Sequence, residues 1–333
     1  MAQEIQGVVR DGDTNLPLES ASVYFDNTTI GTITDNKGAF SLEWNPEINS
    51  SLIISYLGYE SIRMGEFDTE AINEIYLFES ENVLDEVVLY GDDGWSRELK
   101  INEFRKHYLG DSFNGKSCEI LNEDDLILHY DKRRKRLTAK SAAPIEIINR
   151  GLQYQVTADL KSFEINYNFV SKNKKRLNVN YVYYAGANFY RSLQKQPTKI
   201  TIEKRVNTYN GSVLHFMRSL SKQNLRNEGF RIYVGNSEVH PRRSIKIRKI
   251  EDSNGVYVSL KDRLNIIYRG SRQSSVESFV DEFFIDSFGN HSPTEDVRFG
   301  GDLGEQRMGD TLPLDYVKLK MKSSSSSLNK NGN

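Results

Sequence analysis

Residues 3–42 read QEIQGVVRDGDTNLPLESASVYFDNTTIGTITDNKGAFSL, and this stretch decides the fold of the amino-terminal part. Apolar and polar residues alternate over short runs, and groups rich in Asp, Asn, Gly and Pro separate the runs. This pattern predicts short antiparallel strands joined by turns, which is typical of a small β-sandwich. Residues 51–57, SLIISYL, predict a further strand that is buried on both faces.

A series of short motifs in this region resembles a known family. The motifs are IQGVV at 5–9, PL at 17–18, ASV at 21–23, GTITD at 31–35, GAF at 38–40 and YLGY at 56–59. Together they are similar to the carboxypeptidase-regulatory-like domain over about residues 3–90. The resemblance implies a transthyretin-like sandwich of the seven-stranded type, common at the amino termini of exported Bacteroidota proteins and without peptidase chemistry of its own.

The charge distribution divides the chain near the end of that resemblance. Residues 1–90 contain 3 Lys and Arg against 17 Asp and Glu, whereas residues 91–333 contain 41 against 29, so the net charge of −2 is a cancellation. Opposite charges on the two parts predict an attraction that weakens with salt. The predicted domains are a β-sandwich over 3–90, a linker over 91–95, an α+β domain over 96–322 and a disordered Ser-rich tail over 323–333.

Beyond the linker, the sequence predicts a mixed α+β domain with an antiparallel sheet and about two helices. Ser96 is the predicted N-cap of a helix that ends at Gly110, and Ser212 is the predicted N-cap of a second helix. The region, including YNGS at 209–212 and GDTLPLDY at 309–316, resembles the carboxyl-terminal part of two-domain Bacteroidota proteins with no established activity. The predicted strands are 126–130, 137–139, 145–148, 153–156, 163–169, 177–183, 255–260 and 264–268.

The cellular compartment follows from the resemblance rather than from a targeting signal. The chain begins MAQE, with neither the basic nor the apolar part of a signal peptide. No apolar run approaches the roughly 18 residues that a membrane-spanning helix needs. The single cysteine, Cys118, has no cationic neighbour in the sequence and is interpreted as a buried structural thiol. We expect an exported protein of the periplasm or outer membrane, in which a start Met stands in place of the natural leader.

The sequence contains no complete catalytic or metal-binding motif. The five histidines are scattered, and none belongs to an HExxH pair. Asp11 and Asp13 have the spacing that starts a calcium loop, but Leu16 and Ser22 stand where an EF-hand needs Gly and Glu. A turn is therefore the favoured interpretation, with calcium as the alternative. Ser112, in the GDSF block, is interpreted as a helix stop followed by a turn, and we predict neither an enzyme nor a cofactor.

Three groups of residues are candidates for binding. Tyr181, Tyr183 and Tyr184 resemble the aromatic platforms that stack on sugars, although alternating tyrosines also pack ordinary strands. His215 and Arg218 share a polar helix face that could carry a hydrolytic site. The third group is a basic patch of Lys132, Arg133, Arg134, Lys135, Arg136, Arg242 and Arg243, with a second basic run at residues 172–176.

Both basic runs lie between alternating strands, so each is interpreted as a charged hairpin tip. No RNA-binding or helix-turn-helix signature accompanies them, which argues against nucleic acid. For an exported protein, the available polyanions are lipopolysaccharide, acidic glycans and acidic protein surfaces.

The leading hypothesis is therefore a non-catalytic binding or adaptor protein, an accessory subunit of an outer-membrane assembly with a periplasmic or outer-membrane protein partner. A glycan-binding module of a polysaccharide-utilisation system and an uncharacterised hydrolase are the alternatives.

Overall fold

The structure is a computed structural model that describes residues 3–65, 67–80, 93–250 and 254–319. The predicted Ser-rich tail and residues 91 and 92 of the predicted linker lie outside the described residues. The residue bounds assigned to the two domains stay a prediction.

The amino-terminal part is a sandwich of seven strands, which confirms the predicted fold. One sheet has the order β4-β1-β7 and the other has the order β3-β2-β5-β6. Ile5, Val23 and Leu52 are fully buried between the two sheets. The strands are β1 (Gln3–Asp11), β2 (Ser22–Phe25), β3 (Gly31–Ile33), β4 (Ala39–Trp44), β5 (Leu52–Ser55), β6 (Ile62–Met64) and β7 (Ile72–Leu77).

A six-stranded antiparallel sheet forms the middle of the molecule. Its strands lie in the order β8-β11-β12-β10-β9, and β13 pairs along the other edge of β12. The core beneath it contains Phe104, Tyr108 and Phe163. The elements are α1 (Arg97–Tyr108), α2 (Phe113–Lys116), β8 (Cys118–Ile120), β9 (Leu126–Asp131), β10 (Arg136–Ser141), β11 (Ile145–Asn149), β12 (Tyr154–Val170), β13 (Leu177–Ser192) and α3 (Lys199–Tyr209).

The remaining residues build a second pair of sheets with its own hydrophobic core. A five-stranded sheet β15-β14-β18-β19-β22 and a four-stranded sheet β16-β17-β20-β21 enclose this core, together with Phe216 and Leu220 of the helix α4. The elements are α4 (Val213–Ser221), β14 (Phe230–Val234), β15 (Ser237–Val239), β16 (Ile245–Lys249), β17 (Val256–Leu260), β18 (Leu264–Tyr268), β19 (Arg272–Ser278), β20 (Phe283–Ile285), β21 (His291–Ser292) and β22 (Val297–Gly301).

The two predicted helices are present, and their serine caps are the local reason. The Ser96 hydroxyl accepts the Leu99 N–H at 3.2 Å, and the Ser212 hydroxyl accepts the His215 N–H at 3.0 Å. Gly110 has a φ of +101° just after α1, a conformation that glycine adopts readily. The structure adds α3, whose N-cap is Thr198, and the single turn α2.

A carboxyl-terminal strap, residues 308–319, crosses the molecule and connects all three parts. Near its start, the Gly309 N–H donates to the Leu109 carbonyl at 2.9 Å. Further on, the Leu314 N–H donates to the Asn27 carbonyl of the amino-terminal sandwich at 2.7 Å. The Arg218 guanidinium of α4 donates to the Leu314 carbonyl at 2.7 Å. The strap therefore positions the sandwich relative to the middle sheet.

The amino-terminal sandwich docks on β13 through apolar and hydrogen-bonded contacts. Tyr24 packs on Phe189, with ring centroids 5.2 Å apart, and the Asp26 carboxylate accepts the Asn188 N–H at 2.9 Å. A carboxylate of the carboxyl-terminal sandwich, on Asp286, accepts a further N–H from the amino-terminal sandwich at 2.8 Å. Within the described ranges, none of the recorded ion pairs joins residues 3–80 to residues 93–319.

In the part of the chain that the structure describes, no helix combines the length and the apolar character needed to cross a membrane.

Candidate functional site

A groove of about 740 Å³ lies where the amino-terminal sandwich, the end of β13, α3 and the strap meet. Its lining comes from segments that are remote in sequence, because β3 ends at Ile33 and the strap begins at Met308. The packing of the sandwich on β13 and the course of the strap create it. We take this groove as the candidate binding site.

The floor of the groove is a cation held on an aromatic ring. The Arg205 guanidinium lies 3.8 Å from the Tyr154 ring centroid. Arg205 also donates to the carbonyls of Leu152 and Gln153, at 2.8 and 3.0 Å. These contacts fix the guanidinium, and its burial lowers the pKa of Arg205 below its ordinary value. The floor is therefore rigid.

The walls of the groove expose apolar side chains to solvent. Ile33 of β3 is 58% exposed, and Val317 and Leu319 of the strap are 70% and 51% exposed. Exposed apolar side chains gathered along a concavity are typical of a surface that binds another molecule. The exposed cations Arg191 and Lys195 stand at the rim, so the groove offers apolar contacts and positive charge together.

The strap wall is held in place by its own contacts with the sandwich. The Thr29 N–H donates to an Asp315 carboxylate oxygen at 2.9 Å, and the Thr29 hydroxyl donates to the other oxygen. Tyr316 packs against Tyr209 of α3, with ring centroids 5.7 Å apart. These contacts leave Val317 at the groove surface.

The structure places the predicted tyrosine cluster on both faces of the middle sheet. Tyr181 and Tyr183 are each 46% exposed on the open face, and the Tyr181 hydroxyl donates to Glu164 at 2.6 Å. Tyr184 points the other way and packs edge-on against Tyr108 at 5.4 Å. Burial raises the pKa of Tyr184. Only Tyr181 and Tyr183 can therefore share an exposed binding surface.

His215 is 2% exposed and lies inside the core around α4. Its Nδ1 accepts the Gly211 N–H at 3.0 Å, so the proton is on Nε2, 3.0 Å from a carboxylate oxygen of Glu228. Burial lowers the pKa of His215, although the Glu228 carboxylate opposes this shift. The hydroxyl of Ser219 donates to the His215 carbonyl and not to the imidazole. The histidine therefore holds the start of α4.

Arg218 connects α4 to the strap and to a neighbouring loop. Its guanidinium donates to the carbonyls of Phe288, Leu314 and Tyr316 at 2.7, 2.7 and 2.9 Å. With these donors engaged, Arg218 holds the strap that forms one groove wall.

The residues of the predicted basic patch lie next to strands of two different sheets. Residues 132–135 form the turn between β9 and β10. Arg136 follows in β10 and pairs with Glu164 at 3.1 Å. Arg242 and Arg243 lie before β16, in a different sheet.

The acidic residues and the cysteine take structural positions. One Asp11 oxygen accepts the N–H groups of Asp13 and Thr14 at 2.9 and 2.8 Å, which makes the predicted turn. The other accepts the Tyr59 hydroxyl at 2.5 Å, and these bonds lower the pKa of Asp11 to about 2.

Burial raises the pKa of the half-buried Cys118 thiol to about 12, which suppresses its thiolate.

Ser112 of the GDSF block caps α2. Its hydroxyl accepts the Gly115 N–H at 3.0 Å and donates to Asp310 at 2.8 Å. The hydroxyl therefore accepts from the backbone and donates to a carboxylate, which agrees with the predicted helix stop and turn.

The groove was missed by sequence reasoning, although one signal pointed near it. The GDTLPLDY motif at 309–316 was noted for its resemblance alone, and it forms most of the strap. That motif and Ile33 of β3 line the same groove because of long-range packing, which cannot be read from local periodicity.

Comparisons with known proteins agree with the amino-terminal fold. Residues 5–89 match the family model of the CarboxypepD_reg-like domain. Over 87 residues, the chain is 33% identical to the TonB-dependent receptor SusC of Bacteroides thetaiotaomicron. That match covers 26% of this chain and spans 8% of the receptor's length.

Two solved structures show only a remote likeness. A 9R-lipoxygenase from Cyanothece matches with a TM-score of 0.21 and 11% identity, over 66% of this chain and 48% of that one. A protein of unknown function from Bacteroides fragilis matches with a TM-score of 0.18 and 8% identity, over 85% of this chain and 92% of that one. Residues 5–89 therefore resemble the CarboxypepD_reg-like domain, and the described residues among them lie in the seven-stranded sandwich.

Proposed function

We propose that the chain is a non-catalytic binding protein of the bacterial cell envelope, an accessory subunit of an outer-membrane assembly. In this role the groove between the sandwich and the strap receives an extended segment of a protein partner. The observation that carries the proposal is the exposed apolar wall of Ile33, Val317 and Leu319 above the fixed Arg205 floor.

The chemistry of the groove supports a peptide segment rather than a small polar ligand. The walls present aliphatic side chains, and Tyr154 and Phe189 add aromatic area. The strand β3 ends its sheet, and along its outer edge the described residues provide no paired strand. An extended segment can use such an edge for backbone hydrogen bonds while its side chains enter the groove.

The envelope setting of the proposal rests on the amino-terminal domain. The similarity to a Bacteroides receptor over 87 residues supports a Bacteroidota envelope protein, located in the periplasm or at the outer membrane. The engagement of His215 and Arg218 in structural bonds supports a binding role over the alternative of a hydrolase at α4.

The test is affinity purification from detergent-solubilised envelopes with the wild-type chain and with Val317→Asp. The variant places a charge on the apolar wall, and we expect it to lose a co-purifying protein that the wild type retains. The control is Leu57→Asp, because Leu57 is 71% exposed, close to the 70% of Val317, and lies in a turn of the sandwich outside the groove lining. Recovery of the wild type alone, or equal recovery of partner by both variants, would contradict the proposal.

A second candidate function is glycan binding at the open face of the middle sheet. The observation that favours it is the pair of exposed rings, Tyr181 and Tyr183, beside the polar Glu164 and Arg136. A sugar stacks on such rings and hydrogen-bonds with such neighbours. Glycan-array binding that is unchanged in Tyr181→Ala with Tyr183→Ala would eliminate this candidate.

A further inference from the structure

Two basic hairpin tips lie side by side at one end of the middle sheet. Arg136, at the start of β10, pairs with Asn166 of β12, so the turn at 132–135 sits beside this part of β12. The Tyr167 N–H donates to the Lys135 carbonyl at 2.9 Å, and the Lys135 ammonium donates to the Asn168 carbonyl at 3.1 Å. The strand β12 then continues for four residues beyond Asn166, about 13 Å, to the second tip at 171–176.

The two tips concentrate positive charge with little compensation. Together they contain eight cations, and Arg134 alone among them has a recorded carboxylate partner within the described ranges, Asp131 at 3.8 Å. Like charges at the same end of a sheet repel one another, and a bound anion relieves this repulsion. The cations are Lys132, Arg133, Arg134, Lys135, Lys172, Lys174, Lys175 and Arg176.

Both tips are preformed by hydrogen bonds within their turns. An Asp131 carboxylate oxygen accepts the Arg133 and Arg134 N–H groups at 2.9 and 3.0 Å. In the second tip, the Ser171 hydroxyl accepts the Arg176 N–H at 3.0 Å. A bound anion therefore meets cations whose backbone is already ordered, which lowers the entropic cost of binding.

An exposed aromatic side chain lies in β12 just before the second tip. Phe169 is 54% exposed and lies two residues before the second tip. In its strand pair it faces Asn178, so it projects from the same end of the hairpin as the basic residues. An exposed aromatic side chain near Lys and Arg residues is characteristic of surfaces that enter the interface of a lipid bilayer.

We propose that the two tips bind the surface of an anionic phospholipid bilayer, with the cations on headgroup phosphates and Phe169 in the headgroup–acyl boundary. Two narrow turns at one end of a sheet fit a flat array of phosphates better than they fit a folded partner. The site is distinct from the groove, and the two functions can fail separately.

The experiment is co-sedimentation of the full chain with vesicles of phosphatidylcholine alone and with vesicles containing phosphatidylglycerol. We expect binding to the anionic vesicles only, and its loss when salt reduces the Debye length to a few ångströms. Each Lys near an anionic surface contributes about fivefold to partitioning, so the triple variant Lys172→Gln, Lys174→Gln, Lys175→Gln is expected to bind roughly a hundredfold more weakly. The variant Phe169→Ser is expected to bind severalfold more weakly with its charge unchanged.

The matched control removes the same charge elsewhere. The variant Arg242→Gln, Arg243→Gln, Lys246→Gln alters three exposed cations next to or in β16 and is expected to change vesicle binding less than about threefold. A thermal unfolding profile equal to that of the wild type shows that each variant is folded. Equal loss in both triple variants would overturn the proposal. Binding to a soluble polyanion such as heparin without binding to anionic vesicles would also overturn it.

Discussion

Replacing Arg218 with Met is expected to release the carboxyl-terminal strap. Methionine keeps most of the apolar stem and removes the guanidinium, whose three hydrogen bonds reach Phe288, Leu314 and Tyr316. A hydrogen bond from a charged donor contributes about 1.5–3 kcal/mol when buried. Because Arg218 is only half-buried, we take about 1 kcal/mol for each bond, so the two bonds to the strap, at Leu314 and Tyr316, contribute about 2 kcal/mol.

The assay is amide hydrogen exchange at Leu314, whose N–H donates to Asn27 across the interface with the sandwich. A loss of about 2 kcal/mol in local opening free energy raises the exchange rate by roughly thirtyfold. The control is Arg191→Met, because Arg191 is exposed and its recorded contact is a distant one with the Phe189 ring, at 5.9 Å. The control should leave exchange at Leu314 within about threefold of the wild-type rate. An Arg218→Met rate also within that range would refute the assignment of Arg218 as the tie that holds the strap.

Three further predictions concern titration, salt and reactivity. Burial lowers the pKa of His291 to about 4, below its unfolded value of 6.5, so its stabilising contribution is present above pH 6.5 and is lost as the pH falls toward 4. His291→Gln should remove about 3 kcal/mol of the difference in unfolding free energy between pH 7 and pH 4, measured by urea unfolding, and an unchanged difference would contradict this. From net charge alone, salt should weaken the association of the two parts. In the structure, however, their interface is made by Tyr24, Phe189 and Asp26, and no ion pair joins the described ranges 3–80 and 93–319. Scattering profiles at low and high salt should therefore agree, and a salt-dependent profile would contradict this. With its pKa raised to about 12, Cys118 should react with iodoacetamide far more slowly at pH 8 in the folded chain than in urea, and equal rates would show an accessible thiolate.

Local chemistry explains which elements the sequence predicts. The serine caps of α1 and α4 act within three residues of themselves, so the sequence contains all the information that they need. The turn at 171–176 and the amino-terminal strands likewise follow from alternation and from turn residues. Their positions were predicted because no distant partner is required.

The helix α3 depends on distant partners and was not predicted. The helix α3 contains the β-branched residues Ile200, Thr201 and Ile202, which favour strands, and it is helical because Arg205 stacks on Tyr154 of β12 and Tyr209 joins the core of the middle sheet. This is a tertiary contact that overrides local propensity.

The long strand β12 was predicted as two strands. A register shift between Leu160 and Ser162 interrupts the alternation, so the pattern stops and restarts although the backbone continues. The unbroken strand brings the second basic tip beside the first, and the sequence instead grouped the first tip with Arg242 and Arg243.

The candidate groove is the least predictable feature, since its walls come from β3 and from the strap. Ile33 and Val317 are remote in the sequence, and neither lies in a pattern that distinguishes it from an ordinary exposed residue. Their common role follows only from the docking of the sandwich on β13.

The central claim is that this groove binds a protein partner, and site-specific photo-crosslinking tests it most directly. A photoreactive amino acid at position 317 lies on the groove wall, and the same amino acid at position 57 lies on an equally exposed turn outside the groove lining. After irradiation of intact envelopes, we predict a discrete crosslinked protein from position 317 and none from position 57. No product from position 317, or the same product from both positions, would contradict the claim.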